Sequence, residues 1–167
     1  AGVMVRGING FAHNDFGIQP GHLLSARVGL PELGEGEGAQ QVVRFERITE
    51  RLRNEPGVVD AAAGTTLPGL IASGTRVIAD GAATDAPRTF VYSGAIDDHF
   101  AATYGLKLEQ GRLFDSRDRA DSTPVAIVDR TFAERFGDAG PVLGRRFTLD
   151  PDESDHSTVT VVGVIAR

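Results

Sequence analysis

Residues 124–136 read Pro124-Val125-Ala126-Ile127-Val128-Asp129-Arg130-Thr131-Phe132-Ala133-Glu134-Arg135-Phe136. Val125 to Val128 is an unbroken apolar run, short enough for a buried strand. Asp129 follows it at the place where a side-chain oxygen caps a helix, and residues 130–136 supply that helix. Downstream, residues 145–149 and 158–166 read as two strands joined by an acidic loop at 150–157. Upstream, Asp97 or Asp98 is expected to cap a short helix ending at Tyr104, with Gly105 as its left-handed C-terminal residue. Residues 106–108 and 112–114 read as short extended pieces, and 115–123 as a polar loop.

The N-terminal half has a different rhythm. Residues 23–30 alternate as a strand, with Leu24, Ala26 and Val28 on one face. Gly34, Gly36 and Gly38 alternate with glutamates in a turn. A helix is predicted over 39–54, where Val42, Phe45, Ile48 and Leu52 form one apolar stripe. Pro56-Gly57 stops it, and residues 58–65 read as the next strand. Together these segments predict a β-α-β unit whose stripe packs on a sheet of both strands. Residues 75–79 and 89–95 read as strands separated by a Gly- and Ala-rich turn at 80–87.

The order of short blocks resembles a known family. Tyr104-Gly105, Gly111-Arg112-Leu113-Phe114, Val125-Ala126-Ile127-Val128-Asp129, Ala133-Glu134-Arg135-Phe136, Gly144-Arg145-Arg146-Phe147 and Val161-Val162-Gly163-Val164-Ile165 follow one another. The series is similar to the MacB-like periplasmic core domain of ABC-transporter permeases, in the FtsX-like permease superfamily. Asp129 replaces the asparagine of the family's "VAIVN" block, and both residue types cap helices. The resemblance implies an α+β fold: a mixed sheet with a porter-like β-α-β lobe at 21–66 and a second small α/β lobe at 67–157. Residues 1–20 are then a membrane-proximal stalk stub and loop, and 158–167 a strand returning toward the first lobe. The family continues into a second β-α-β unit, so the chain reads as an excised piece. Residues 23–30 or 158–166 are therefore expected at an open sheet edge. The motif positions implied are structural: Gly57, Pro68, Phe100, Gly105, Gly111, Arg112, Gly144 and Gly163.

Composition narrows the function. A chain of 167 residues with 41% hydrophobic and 24% charged residues fits one globular unit with a real core. A net charge of −6 argues against a nucleic-acid partner. The chain has no cysteine, so neither a disulfide nor a thiolate site is possible. No run approaches the roughly 20 apolar residues of a membrane span. Lys107 is the sole lysine among 17 basic residues, and the scattered arginines read as coding bias.

Candidate chemistry is sparse. Gly34-Glu35-Gly36-Glu37-Gly38 has the wrong spacing for a phosphate loop, and its glutamates would repel phosphate. Asp97-Asp98-His99 sets two carboxylates beside an imidazole. Neighbouring helical residues diverge, so a cap and a solvent-facing aromatic position fit better than a metal or an acid–base pair. The acidic stretch at 150–156 lacks a calcium-loop spacing. His13 and His22 show no ligand spacing. Gly111-Arg112 and Gly144-Arg145-Arg146 read as tight turns whose arginine stems cover the sheet, or as a basic contact to a neighbouring subunit. No catalytic, metal or cofactor residue is assigned, and no cofactor is expected.

By resemblance the chain is an extracytoplasmic, periplasmic domain of an inner-membrane permease. Its implied partners are the transmembrane region of the same polypeptide, a second permease copy or domain, and a cytoplasmic ABC ATPase. Its implied work is coupling membrane-helix motion to cargo or partner handling, without chemistry of its own. The alternative is a module that captures a lipid, peptide or drug between its lobes.

Overall fold

The computed structural model describes residues 23–29, 38–66, 73–83, 85–119, 121–150 and 157–166. In chain order the elements are α1 (Gly38–Arg53), β1 (Ser73–Ala79), β2 (Thr89–Ser93), α2 (Phe100–Tyr104), β3 (Leu108–Gly111), β4 (Val125–Asp129), α3 (Arg130–Phe136), β5 (Arg146–Leu149) and β6 (Ser157–Ile165). The strands form one mixed sheet of six, in the order β2-β1-β5-β6-β3, with β4 also paired to β6. All ladders are antiparallel except β4 with β6, which is parallel. The fold class is α+β.

The local reading of the strand–cap–helix stretch holds. The Asp129 carboxylate accepts from the Phe132 backbone N–H at 2.7 Å and starts α3. Phe132 and Phe136 lie one turn apart on α3, so both rings reach the sheet. Each meets Phe147 of β5 edge-on, with centroids 5.1 Å apart. Phe147, Val161 and Val164 are almost fully buried and, with Val142, make the core under α3. Arg145 closes this core from outside. Its guanidinium lies 5.4 Å from the Phe147 ring centre, and its Nη1 donates to the Phe136 carbonyl at 2.5 Å.

β6 organises the sheet. It pairs with β5 through residues 157–160 and with β3 through 163–165, while β4 runs beside residues 160–165. The expected edge position of residues 158–166 is therefore corrected: β6 has partners along its whole length. Its apolar content explains this, because a strand reading Val159, Val161, Val162, Val164 and Ile165 is stable only when covered. A bulge at Val162 lets β6 match β4, since Ala126 faces Val161 but Ile127 faces Gly163.

Two other expectations fail. Residues 23–29 form no strand, and residue 30 lies outside the described residues. Residues 58–65 form no strand either, apart from one isolated bridge between Gly64 and Ile96. α1 forms as expected, but its stripe does not pack on the sheet. Val42 and Leu52 are 51% and 46% exposed, and Phe45 and Ile48 are only half-buried. Alternation and periodicity are local properties, whereas a strand exists only where another strand accepts its hydrogen bonds. Residues 60–64, Asp-Ala-Ala-Ala-Gly, also lack the β-branched residues that favour strands.

Candidate functional site

α1 ends at a polar joint. Arg53, the last residue of α1, turns its guanidinium toward the segment that follows. Its Nε donates to the Ala61 carbonyl at 3.0 Å and lies 3.4 Å from Asp60 Oδ1. Its Nη2 is 3.9 Å from Asp97 Oδ2. The turn that makes this return possible is Pro56-Gly57, where Gly57 has a left-handed φ of 88°.

Residues 61–66 then lie against 94–97. Asp97 Oδ2 accepts from the Ala63 N–H at 2.8 Å, and the Asp97 N–H donates to the Ala63 carbonyl at 3.0 Å. Two residues on, the Thr65 N–H donates to the Ala95 carbonyl at 2.8 Å. Under this pairing, Phe100 and Tyr104 of α2 are buried and stacked, with centroids 4.2 Å apart. Gly64 sits over the Phe100 ring, where a Cβ would come within 3.0 Å of its edge. α2 ends as expected at Gly105, with φ 68° and its N–H turned back to the helix carbonyls.

The cap assignment to Asp97 or Asp98 is corrected. α2 has no side-chain cap, because the Asp97 carboxylate is spent on a segment 34 positions earlier. His99 is also not simply solvent-facing. Its Nδ1 lies 3.0 and 3.2 Å from the two oxygens of Asp60, and the ring is half-buried. The chain thus brings together Arg53, Asp60, Asp97 and His99, of which adjacency in sequence revealed only the last two.

The two carboxylates feel this joint oppositely. Burial pushes Asp60 up, but the His99 hydrogen bond, the Ala61 N–H, and the His99 and Arg53 charges outweigh it, and the net shift is down. Burial dominates at Asp97 and, with the Asp98 charge, holds its carboxyl above the ordinary value. Asp97 Oδ1 is buried and has no hydrogen-bond partner among the described residues. The groups face one another, an arrangement suited to holding two segments together. No group of three or more His, Cys, Asp or Glu that could hold a metal occurs among the described residues.

The other described motif positions lie in or beside strands β3, β5 and β6. Gly111 and Gly163 meet where β3 crosses the β6 bulge. A Cβ on Gly111 would lie 2.2 Å from the Val162 carbonyl oxygen, and one on Gly163 would lie 2.2 Å from that of Arg112. Arg112 forks onto Asp118, with Nη1 and Nη2 at 2.6 and 2.8 Å from its two oxygens. That hydrogen bond holds the Asp118 carboxyl below its usual range. Arg117 pairs with Asp115 beside it at 2.8 Å. Arg112 is thus an internal brace of the 112–119 loop. Gly144 lies at a left-handed turn, with φ 77°, leading into β5. Asp150 accepts from the Arg76 N–H at 3.1 Å. Pro68, His13, His22, most of the Gly34–Gly38 turn and residues 151–156 lie outside the described residues.

The family described as MacB-like periplasmic core domain matches residues 2–167. Among solved structures, the periplasmic region of MacB from Actinobacillus actinomycetemcomitans aligns with a TM-score of 0.54 at 18% identity, over 73% of this chain and 50% of that one. A domain of a putative permease protein from Porphyromonas gingivalis aligns with a TM-score of 0.51 at 23% identity, over 71% of this chain and 48% of that one. The chain therefore spans about half the length of the solved structures it matches. A comparison with curated proteins finds no match. The chain belongs to the MacB-like periplasmic core domain family.

Proposed function

We propose that this domain is a mechanical element of its permease, transmitting motion of membrane helices to the handling of cargo or a partner outside the membrane, with no bond chemistry of its own. One observation carries the reading. Among the described residues, α1 is tied to the segments at 60–61 and 97 beside a well-packed sheet through a compact polar joint, and its apolar stripe is not part of the sheet's core. Hydrogen bonds and ion pairs of this kind define a position yet exchange partners when elements shift, whereas a close-packed core resists sliding. The division into a stalk stub and loop at 1–20, a porter-like lobe at 21–66, a second lobe at 67–157 and a returning strand at 158–167 belongs to this proposal. So do its partners: the transmembrane region of the same polypeptide, a second permease copy or domain, and a cytoplasmic ABC ATPase. The structural roles given to Gly57, Phe100, Gly105, Gly111, Arg112, Gly144 and Gly163 belong to it as well.

The alternative remains capture of a lipid, peptide or drug between lobes. Among the described residues, a shallow groove on α1 is lined by Gln40, Val43, Arg44 and Arg47. The mechanical reading is tested by distance measurement in the full permease with its ATPase. The absence of cysteine makes Arg44→Cys on α1 and Thr131→Cys on α3 specific labelling sites in this domain. Spin labels there should give a distance distribution that shifts between nucleotide-free and ATP-bound states. One unchanged distribution in both states, with transport intact, overturns the coupling role.

A further inference from the structure

Among the described residues, β2 ends the sheet with no strand on its outer side. Natural edge strands are blunted by charged residues, proline, bulges or a covering element. Thr89-Phe90-Val91-Tyr92-Ser93 contains no charge and no proline, and it pairs with β1 in unbroken register. Phe90 and Tyr92 point to the same face and are 55% and 75% exposed. Their rings are held in place: they meet edge-on at 5.4 Å and 84°. The Phe90 ring lies over Gly74 of β1, where a Cβ would come within 2.0 Å of it. A glycine on the neighbouring strand thus seats an aromatic platform beside a backbone edge that no described strand pairs. Tyr and Phe are also the residues enriched in buried interface cores.

We propose that this edge is an interface with a second copy of this chain, β2 pairing antiparallel with β2 across a two-fold axis at Val91. The strand is self-complementary in that register. Phe90 faces Tyr92 of the second copy and Tyr92 faces its Phe90, which gives two aromatic cross-strand pairs on one surface. Val91 faces Val91, and Thr89 faces Ser93, pairing hydroxyls. Arg88 falls opposite Gly94, so no like charges meet within the paired strands. The two sheets become one continuous sheet of twelve strands, and the contact is closed because each copy uses its only β2. The buried area is modest. Two five-residue edges and four partly exposed rings fall below the roughly 1,600 Å² of a standard stable interface. The pairing is therefore weak between free molecules. It becomes populated when two copies share a support that raises their effective concentration to about millimolar. None of this depends on the coupling role proposed above, which could fail with the pairing intact.

Cross-linking tests the register directly. Val91→Cys provides a single thiol on the axis, and antiparallel partners sit about 4.5 or 5.5 Å apart, both within disulfide range. Under mild oxidation, Val91→Cys should form covalent dimers at least tenfold faster than Thr131→Cys, an exposed site on α3. Adding Tyr92→Asp should remove that advantage. Because Tyr92 is mostly exposed, the double variant should keep the wild-type circular dichroism spectrum, so loss of cross-linking reports on the interface. Wild-type protein should show reversible monomer–dimer sedimentation across a concentration series reaching millimolar. Equal cross-linking rates at the two sites, a strict monomer at millimolar concentration, or open-ended polymers in place of a closed dimer would each overturn the proposal.

Discussion

Gly163 and Gly57 are both glycines in the family's pattern, yet they are needed for different reasons. Gly163 is buried in β6 with a carbonyl oxygen 2.2 Å from where its Cβ would be, so alanine there must push two backbones apart. Gly57 is exposed with open space around it, and only its φ of 88° resists a side chain. Gly57→Ala should cost about 1–2 kcal/mol, the penalty of a left-handed residue. Gly163→Ala should cost more, at the upper end of about 1–3 kcal/mol for overpacking, and should loosen the β3–β6 pairing. Urea denaturation of both variants gives the ranking, and a larger loss at Gly57 would contradict this account of the sheet crossing. Asp118 gives a second prediction. Its carboxyl is held below the ordinary value of 3.8 by Arg112, so the folded state binds that proton less readily than the unfolded chain. The stability it contributes is present above the unfolded pKa and is lost as pH falls through the folded one. Asp118→Asn should therefore lower the urea midpoint at pH 7, and the gap to wild type should close in acid. A gap that persists below the depressed pKa would mean that the loss is packing and not charge.

At the scale of elements, the contrast between α1 and α3 decides what substitution does. α3 lays Phe132 and Phe136 against Phe147, which is 1% exposed. Phe147→Ala should cost about 3–5 kcal/mol, the range for emptying a core aromatic site. Ile48 on α1 is half-buried and flanked by exposed Val42 and Leu52, so Ile48→Ala should fall below the roughly 2–5 kcal/mol of a true core position. Equal losses at the two sites would show that α1 is packed more tightly than its exposure indicates. The same contrast explains what the sequence made legible. β4, the Asp129 cap and α3 were readable because each is set by residues within a few positions of one another. The strand assigned at 23–30 had the correct alternation and that at 58–65 followed the helix stop, but neither signal can say whether a partner strand is present. The joint was hidden for the same reason. His99 meets Asp60 from 39 positions away, and Asp97 reaches Ala63 across 34. No spacing rule connects them, and Asp97 looked like a cap because caps are the local use of aspartate. The bulge at Val162 was equally silent, although the Gly163 it requires stood out.

Among the described residues, a cohesive sheet carries α3, and α1 is fastened beside it by one arginine and its acceptors. Among the described residues, Arg53 supplies the polar contacts that run from α1 to Ala61, Asp60 and Asp97. The link between these parts should thus be separable from the stability of the sheet. Arg53→Met retains most of the apolar stem and removes the guanidinium. It leaves Asp97 with less compensation for its burial, since Arg53 is one of the charges drawing that carboxyl down. The loss should appear locally, as opening of the segment between α1 and residue 61, because regions with few buried apolar contacts unfold independently of the core. Val58 and Val59 offer cleavage sites there, and Val59 is fully exposed. Limited proteolysis with an enzyme that cuts before aliphatic residues should cleave Arg53→Met at 58–59 several times faster than wild type, leaving a resistant fragment that contains β1 to β6. The main urea transition, reporting the Phe147 core, should move by no more than about 0.5 kcal/mol, as for a substitution remote from it. If Arg53→Met instead lowered that transition by several times this amount and cleavage spread through the sheet, α1 would belong to the same cooperative unit. The joint would then be part of the core and not a place where the molecule can bend.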